Sequence, residues 1–293
     1  MGQRDLPLGR VKGPSLVILA AGRARRYGGC KPLAPVGIHG EAVIDLVASD
    51  ALGAGFGTIV LVLGPDTGAA IRYHVERTWP KAVDVRFVLQ PVPKGTVHAV
   101  LSASAEVGAT PYGVGNADDI YGQAACAQLA EHLSASEPTN ALVGYRLADA
   151  VIGPSPVTRG ICQVDGDGRL VGVDERRLVS AQDDGGFASA DGRQPVRLPP
   201  DARVSMNLWG FTPAFHQVLH AAMAAAADAS EEAEVLLPEV VAEALDTSSF
   251  SVLPAEGRCI GVTHPDDLGL VQSELNRQVG RGERPAALWT STG

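Results

Sequence analysis

A strand that runs out onto residues with almost no side chain, followed at once by cations, constrains this chain more than any other feature. Residues 16–19 read Leu-Val-Ile-Leu, an apolar run of strand length, and Ala20, Ala21 and Gly22 follow. Arg23, Arg25, Arg26, a Gly28-Gly29 pair, Lys31 and Pro32 come next. Small residues after a strand let backbone N–H groups approach an anion closely, and such donor arrays bind phosphate. Cations beyond them hold charge that develops on a phosphate during reaction. The stretch reads as a nucleoside triphosphate loop. Taken without the rest of the chain it also fits a strand-to-helix turn with exposed arginines.

The rest of the chain supplies the context. Residues 41–54 carry apolar side chains at helical spacing, residues 58–63 form a branched apolar strand, residues 66–78 a second helix and residues 83–89 a third strand. Strand, helix, strand, helix, strand is the mark of a parallel sheet with crossover helices. Ligands then bind beyond the carboxyl ends of the strands. Gly53, Gly55 and Gly57 precede a strand instead of following one, so they are read as a helix end and a turn, not a dinucleotide fingerprint.

Polar residues fall where that rule places them. After the third strand comes Gln90-Pro91-Val92-Pro93-Lys94-Gly95-Thr96, leading into a helix over residues 97–105. Gln90 offers an amide able both to donate and to accept, apt for a pyrimidine edge. Gly95 leaves room for a base against the backbone, although the segment also fits a proline-stiffened turn. A short strand over residues 111–115 delivers Asn116, Ala117, Asp118 and Asp119. Two adjacent carboxylates beside a triphosphate loop suit a hard cation, and they equally suit a helix cap.

The second half is expected to hold a helix at 123–133, a strand at 140–147 and a hairpin at 155–173 turning through Asp165-Gly166-Asp167-Gly168. Arg169 at the third ligand position removes that turn from the calcium loops. Asp174-Glu175-Arg176 is read as the end of the hairpin, and residues 178–202 as a mobile surface excursion with room for a short hairpin. Residues 204–211 return as a strand, with Trp209 and Phe211 on the face of Asn207 and at least one of them walling a pocket. Helices are expected at 213–227, 231–245 and 266–279, with a strand at 250–254 and a loose tail. His216 and His220 have zinc-helix spacing, but Gln217 stands where a general base is needed, so zinc is not assigned.

With 293 residues and a formal net charge of −9, the chain buries a full core and lacks the basic footprint of nucleic-acid binders. Four scattered cysteines give no disulfide framework or zinc site, and no segment reaches membrane-spanning length. The expectation is a cytoplasmic protein without membrane or nucleic-acid partners; homo-oligomerisation is open.

Residues 19–31 resemble the signature of the sugar-1-phosphate nucleotidylyltransferases, Leu-Ala-Ala-Gly-x-Gly-x-Arg followed by a lysine, with Ala24 in place of the second glycine. The segment at Gln90 resembles the Gln-Pro-x-Pro-x-Gly loop of thymidylyl- and uridylyltransferases for hexose phosphates. The resemblance spans residues 16–289 and implies an α/β fold: a Rossmann-like, mixed, mainly parallel sheet flanked by helices (GT-A-like), with a small hairpin-containing sugar-binding lobe. It implies one domain, with residues 14–135 for the nucleotide, 136–265 for the acceptor and 266–293 as a terminal helix and tail. Arg26 and Lys31 take the catalytic roles. Leu19, Ala20, Ala21, Gly22, Gln90, Gly95, Thr96 and Asn116 bind the nucleotide, UTP or dTTP. Tyr145, Gly160, Glu175 and Asn207 contact the sugar. Asp118 binds Mg2+ with Thr263 as its second ligand, and Asp119 caps or supports. The implied reaction joins an NTP and a sugar 1-phosphate into an NDP-sugar and pyrophosphate. The same chemistry on a cyclitol or other small phosphate, and a catalytically weak nucleotide sensor, are the alternatives; a dehydrogenase fails on the order of the glycines.

Overall fold

The computed structural model describes residues 13–22, 29–230, 233–262 and 267–288. At its centre lies β1 (Ser15–Ala20), which is covered on both faces: Leu16, Ile18 and Ala20 enter one core and Val17 the other. Two-sided burial is why this strand is a continuous apolar run without alternation. β2 (Thr58–Leu63) pairs in parallel with one edge of β1, and β3 (Val85–Leu89) in parallel with β2. β4 (Tyr112–Asn116) pairs in parallel with the other edge of β1. The crossovers carry α1 (Val43–Gly53), α2 (Gly68–Thr78), α3 (Gly95–Ser102) and α4 (Ser104–Val107).

Next come β5 (Asp119–Ile120), α5 (Gln123–Leu133), β6 (Asn140–Arg146), α6 (Leu147–Ala150), β7 (Val157–Val164), β8 (Leu170–Ala181), β9 (Phe187–Ser189) and β10 (Arg197–Leu198). The chain closes with β11 (Arg203–Phe211), α7 (Phe215–Ala229), α8 (Leu237–Ala244), β12 (Phe250–Pro254), β13 (Ile260–Gly261) and α9 (Leu268–Gly280). The sheet order is β10-β9-β8-β7-β11-β4-β1-β2-β3, with β6 on β11 and β12 on β6. Helices α1, α2, α5 and α9 cover one face, and α3, α7 and α8 the other. This is the expected mixed, mainly parallel sheet between helices. No described helix is long and apolar enough to cross a membrane.

β11 joins the parallel and antiparallel halves. Along one edge it pairs with β6; along the other it pairs with β7 at Val204–Ser205 and with β4 at Trp209–Phe211. Between these the register slips, and Asn207 takes φ +59°, a left-handed conformation that asparagine tolerates better than most residues. The bulge ends simple alternation. Trp209 and Phe211 are fully buried among Phe215 and Phe250 and wall no pocket, contrary to the expectation from period two.

Three further expectations change. Residues 178–202 are ordered: β8 continues past Asp174–Arg176 to Ala181, and β9 and β10 extend the sheet. The cause is Arg176, whose buried guanidinium donates from Nε and Nη2 to Asp191 at 2.9 and 3.1 Å and from Nη1 and Nη2 to the Pro195 and Arg193 carbonyls. The helix expected over 231–245 begins only at Leu237, where Pro238 occupies the first turn. The helix after residue 97 starts two residues earlier, at Gly95, and breaks at Ala103.

Two predictions follow from these buried ion pairs. Arg284 donates to both Asp50 oxygens at 2.7 Å, tying the segment after α9 to α1, and both side chains are buried. Arg284→Met strands the Asp50 charge and is expected to cost about 3–5 kcal/mol of unfolding free energy; an unchanged denaturant midpoint would show the pair to be dispensable. Arg176 holds the Asp191 carboxyl well below its ordinary range. A pKa depressed on folding contributes stability above the unfolded value and loses it as pH falls below about 4. Hydrogen-exchange protection factors of the β9 and β10 amides are therefore expected to fall as pH drops below about 4, and to be low already at neutral pH in Asp191→Asn.

Candidate active site

Because β3, β2, β1 and β4 run parallel in register, their carboxyl ends lie together, and the residues that follow β1, β3 and β4 form one concave surface. Gln90 N–H donates to the Leu63 carbonyl at 2.8 Å and Ala117 N–H to the Leu19 carbonyl at 3.2 Å, which pins both loops to the strand ends. The resulting cavity, about 530 Å³, is lined by Leu19, Ala21, Gly22, Gln90, Gly95, Thr96, Asn116, Asp118 and Asn207, nine of the residues expected from the sequence, and by Glu234 and Leu236 among others. A smaller cavity of about 120 Å³ brings Ala20 and Lys31 against Gly22 and Asp118. Gly22 and Asp118 belong to both. A Cβ at Gly22 would meet no described atom, so packing does not require glycine there.

Lys31 opens a single 3₁₀ turn, Lys31–Leu33, with Pro32 in its first turn. Its ammonium lies 3.7 Å from the Asp118 carboxylate, which is about one-third exposed, 36 %. Partial desolvation raises the Asp118 pKa and the Lys31 charge opposes the rise. Asp119 points away from this pair. It accepts a 2.9 Å bond from the Asn116 amide, and its Oδ1 fills the place of a Gly261 side chain. Burial and the Asp118 charge push its pKa up to about 6 against the pull of Asn116, Arg159 and Lys31. Strand β13 supports both carboxylates, pairing Gly261 with Asp119 and donating from Val262 N–H to the Asp118 carbonyl at 3.1 Å. Tyr121 links the pocket walls: its hydroxyl accepts from Asn116 N–H at 2.7 Å and donates to the Met206 carbonyl, beside Asn207, at 3.0 Å.

The far wall comes from chain that sequence reasoning had placed in a helix. Val235 N–H donates to the Lys94 carbonyl, Val97 N–H to the Val235 carbonyl, and Leu237 N–H to the Thr96 hydroxyl at 2.8 Å. These bonds strap residues 234–237 across the Gly95 turn and bring Glu234 to the pocket, its carboxylate without a protein partner among the described residues. Pro238, in the first helical turn, was the sequence signal that Glu234 precedes the helix. Gly95 is required by this strap: it has φ +86°, and a Cβ would lie 2.3 Å from the Val235 carbonyl oxygen. The space beside Gly95 in that direction is thus filled by backbone, not left for a base.

Three expected acceptor contacts are not brought to the pocket among the described residues. Tyr145 is fully buried, and its hydroxyl donates to the Tyr121 carbonyl at 2.7 Å, so it is a core residue. Gly160 packs under Val173 and Ser205 within the sheet. Glu175 stands exposed on β8, beside Arg177. Arg26, with Arg23, Ala24 and Arg25, and Thr263 lie outside the described residues. Among the described residues no three His, Cys, Asp or Glu side chains cluster as a metal site, His216 and His220 included.

A strand end that opens on Gly22, a lysine–carboxylate pair and a mixed sheet are features that suit a nucleotidyltransferase. The family model for the MobA-like NTP transferase domain matches residues 16–196, and the chain belongs to that family. In structure it is similar to the UTP-bound UGPase from Acinetobacter baumannii, with TM-score 0.63, 17 % identity and 93 % of this chain against 94 % of that one. It is also similar to a UDP-glucose pyrophosphorylase complexed with UDP-glucose (0.63, 14 %, 90 % against 99 %). The inositol-1-phosphate CTP transferase from T. maritima matches at 0.64 and 15 %, over 92 % and 97 %. These identities establish a shared fold. No curated protein matches the chain significantly.

The Gly95 geometry is testable. Gly95→Ala places a side chain in a left-handed turn against Val235, and is expected to cost about 1–3 kcal/mol of stability. Denaturant titration reads it, and a wild-type midpoint would mean that the strap yields freely.

Proposed function

We propose that this protein is a nucleotidylyltransferase that joins an NTP, UTP or dTTP, to a sugar 1-phosphate and releases pyrophosphate. The observation that carries this reading is the Lys31–Asp118 pair where the two cavities meet, on the strand end that opens with Gly22. In the reaction an acceptor phosphate oxygen bonds to the α-phosphorus as the bond from that phosphorus to its bridging oxygen breaks, and pyrophosphate leaves with the electron pair. The chain's part is positioning and charge neutralisation. Lys31 holds the α-phosphate and the incoming phosphate; Arg26 takes the leaving pyrophosphate by its resemblance. Backbone groups around Gly22 carry the remaining phosphates, and Gln90 faces the base.

The residues fit a magnesium ion of the kind that keeps phosphate and water ligands, because Asp118 presents a single partly exposed carboxylate while Asp119 is turned inward. Asp118 would hold it, with Thr263 beside it on the resemblance. Such an ion would supply neutralisation of phosphate charge.

Asn207 and Glu234 suit the acceptor. An amide and a carboxylate at one pocket wall accept hydrogen bonds from several hydroxyls of a polyol. They do not require a ring oxygen, so a cyclitol phosphate is the second reading, favoured by the same two side chains and by the likeness to the inositol-1-phosphate CTP transferase.

Pyrophosphate release across five NTPs and a panel of sugar and cyclitol 1-phosphates, with magnesium, tests the proposal. Lys31→Ala is expected to lower turnover about 10²-fold or more, the scale of removing a transition-state charge partner. Near-normal turnover in that variant would remove Lys31 from the mechanism, and silence of folded wild-type protein across the panel would leave a nucleotide sensor.

A further inference from the structure

The base reader is itself held, and by a residue no motif singled out. Gln90 is almost fully buried at the pocket, 4 % exposed. Its amide nitrogen lies 3.0 Å from the Gly95 carbonyl oxygen and 3.1 Å from His98 Nδ1. A carbonyl oxygen only accepts, so the amide must turn its NH2 toward Gly95. The His98 contact then assigns that ring as well: Nδ1 accepts from Gln90 and the ring proton sits on Nε2. Both N–H groups of Gln90 are occupied by these two acceptors. Oε1 has no protein partner among the described residues, and it is what Gln90 has left to offer a ligand.

We infer that the Gly95 carbonyl and His98 Nδ1, by together accepting both N–H groups of Gln90, make Gln90 an obligate hydrogen-bond acceptor and so set the nucleobase. This rests on the nucleotidylyltransfer reading and deepens it, sorting nucleotides by the proton on the pairing edge, which admits GTP beside UTP and dTTP. Uracil and thymine at N3, and guanine at N1, carry a ring N–H on the pairing edge that Oε1 can accept. Cytosine at N3 and adenine at N1 carry a lone pair there, which faces Oε1 without a proton between them. An unlocked glutamine would serve either class by turning over its amide; a locked one cannot. His98 is a positioning residue: it touches Gln90, and its effect falls on the ranking of nucleotides.

Its place in the fold suits the role. His98 lies in the first turn of α3, one helical turn into the segment that the 234–237 strap clamps at Val97 and Thr96. The helix backbone therefore fixes the imidazole relative to the Gly95 carbonyl, and both anchors of the amide move as one body.

The test is calorimetric titration of each of the five NTPs, with magnesium and without acceptor, into the wild type, His98→Leu and His98→Asn. The wild type is expected to bind UTP, dTTP and GTP about tenfold or more tighter than CTP and ATP. His98→Leu removes one of the two acceptors that hold the amide, and is expected to lower the UTP-to-CTP ratio severalfold. In His98→Asn the side-chain Oδ1 can accept in place of Nδ1, and the ratio should return; a role in packing alone would not be rescued in this way. CTP or ATP binding as tightly as UTP to the wild type, or an undiminished ratio in His98→Leu, overturns the inference and leaves the enzyme class standing. Absence of binding for every nucleotide overturns both.

Discussion

The parallel pairing of β1 between β2 and β4 is the constraint on which the site depends. A strand with neighbours on both edges and cores on both faces has its backbone groups satisfied and its side chains committed to packing. Polar chemistry can begin only where the strand stops. Because the neighbours run in the same direction and in register, every stop falls at one edge, and the loops carrying Gly22, Gln90 and Asp118 meet there without any long-range signal between them. Main-chain bonds at Leu19 and Leu63 then hold two of those loops to the strand ends, so the concavity is built by the backbone before side chains contribute.

The opposite wall has a different origin. It depends on two departures from regularity, the bulge at Asn207 and the strap at residues 234–237. The bulge lets β11 leave β7 and join β4, which places Asn207 across from Asn116, with Tyr121 bonded to the backbone on both sides. The strap is a short extended segment bonded to the Gly95 turn, and it turns Glu234 into a pocket residue. The left-handed conformations of Asn207 and Gly95 thus lie where they shape the pocket.

Electrostatics follow the same division. The chain carries a net charge of −9, yet Lys31 stands in the smaller cavity with the partly exposed Asp118 beside it. Charges elsewhere that would be costly to bury are neutralised in pairs: Arg284 with Asp50, Arg176 with Asp191. The first of these pairs fastens the C-terminal segment, and the second orders the arm beyond β8. Neither pair lines the two cavities, where Lys31 and Asp118 meet.

The sequence by itself determined the central sheet and the strand-end wall of the cavity. Apolar runs, helical spacing and small residues at strand ends are local properties, and strand order along the chain carries them to one edge; Gly22, Gln90, Asn116 and Asp118 were legible for that reason. Asn207 was legible as a residue, but its bulge was not, since a slip in register depends on which neighbour β11 pairs with at each end. Tyr145 misled because a tyrosine on a strand looks the same from sequence whether its hydroxyl faces a ligand or the Tyr121 carbonyl. Residues 178–202 looked unstructured because their order comes from one buried guanidinium meeting Asp191 and two carbonyls, contacts between polar residues that no hydrophobic period announces. Only the tertiary structure decided that Glu234 joins the pocket and that His98 holds the Gln90 amide. A strap and an amide orientation are settled by hydrogen bonds between segments, and the sequence records the groups that make such bonds but not their directions.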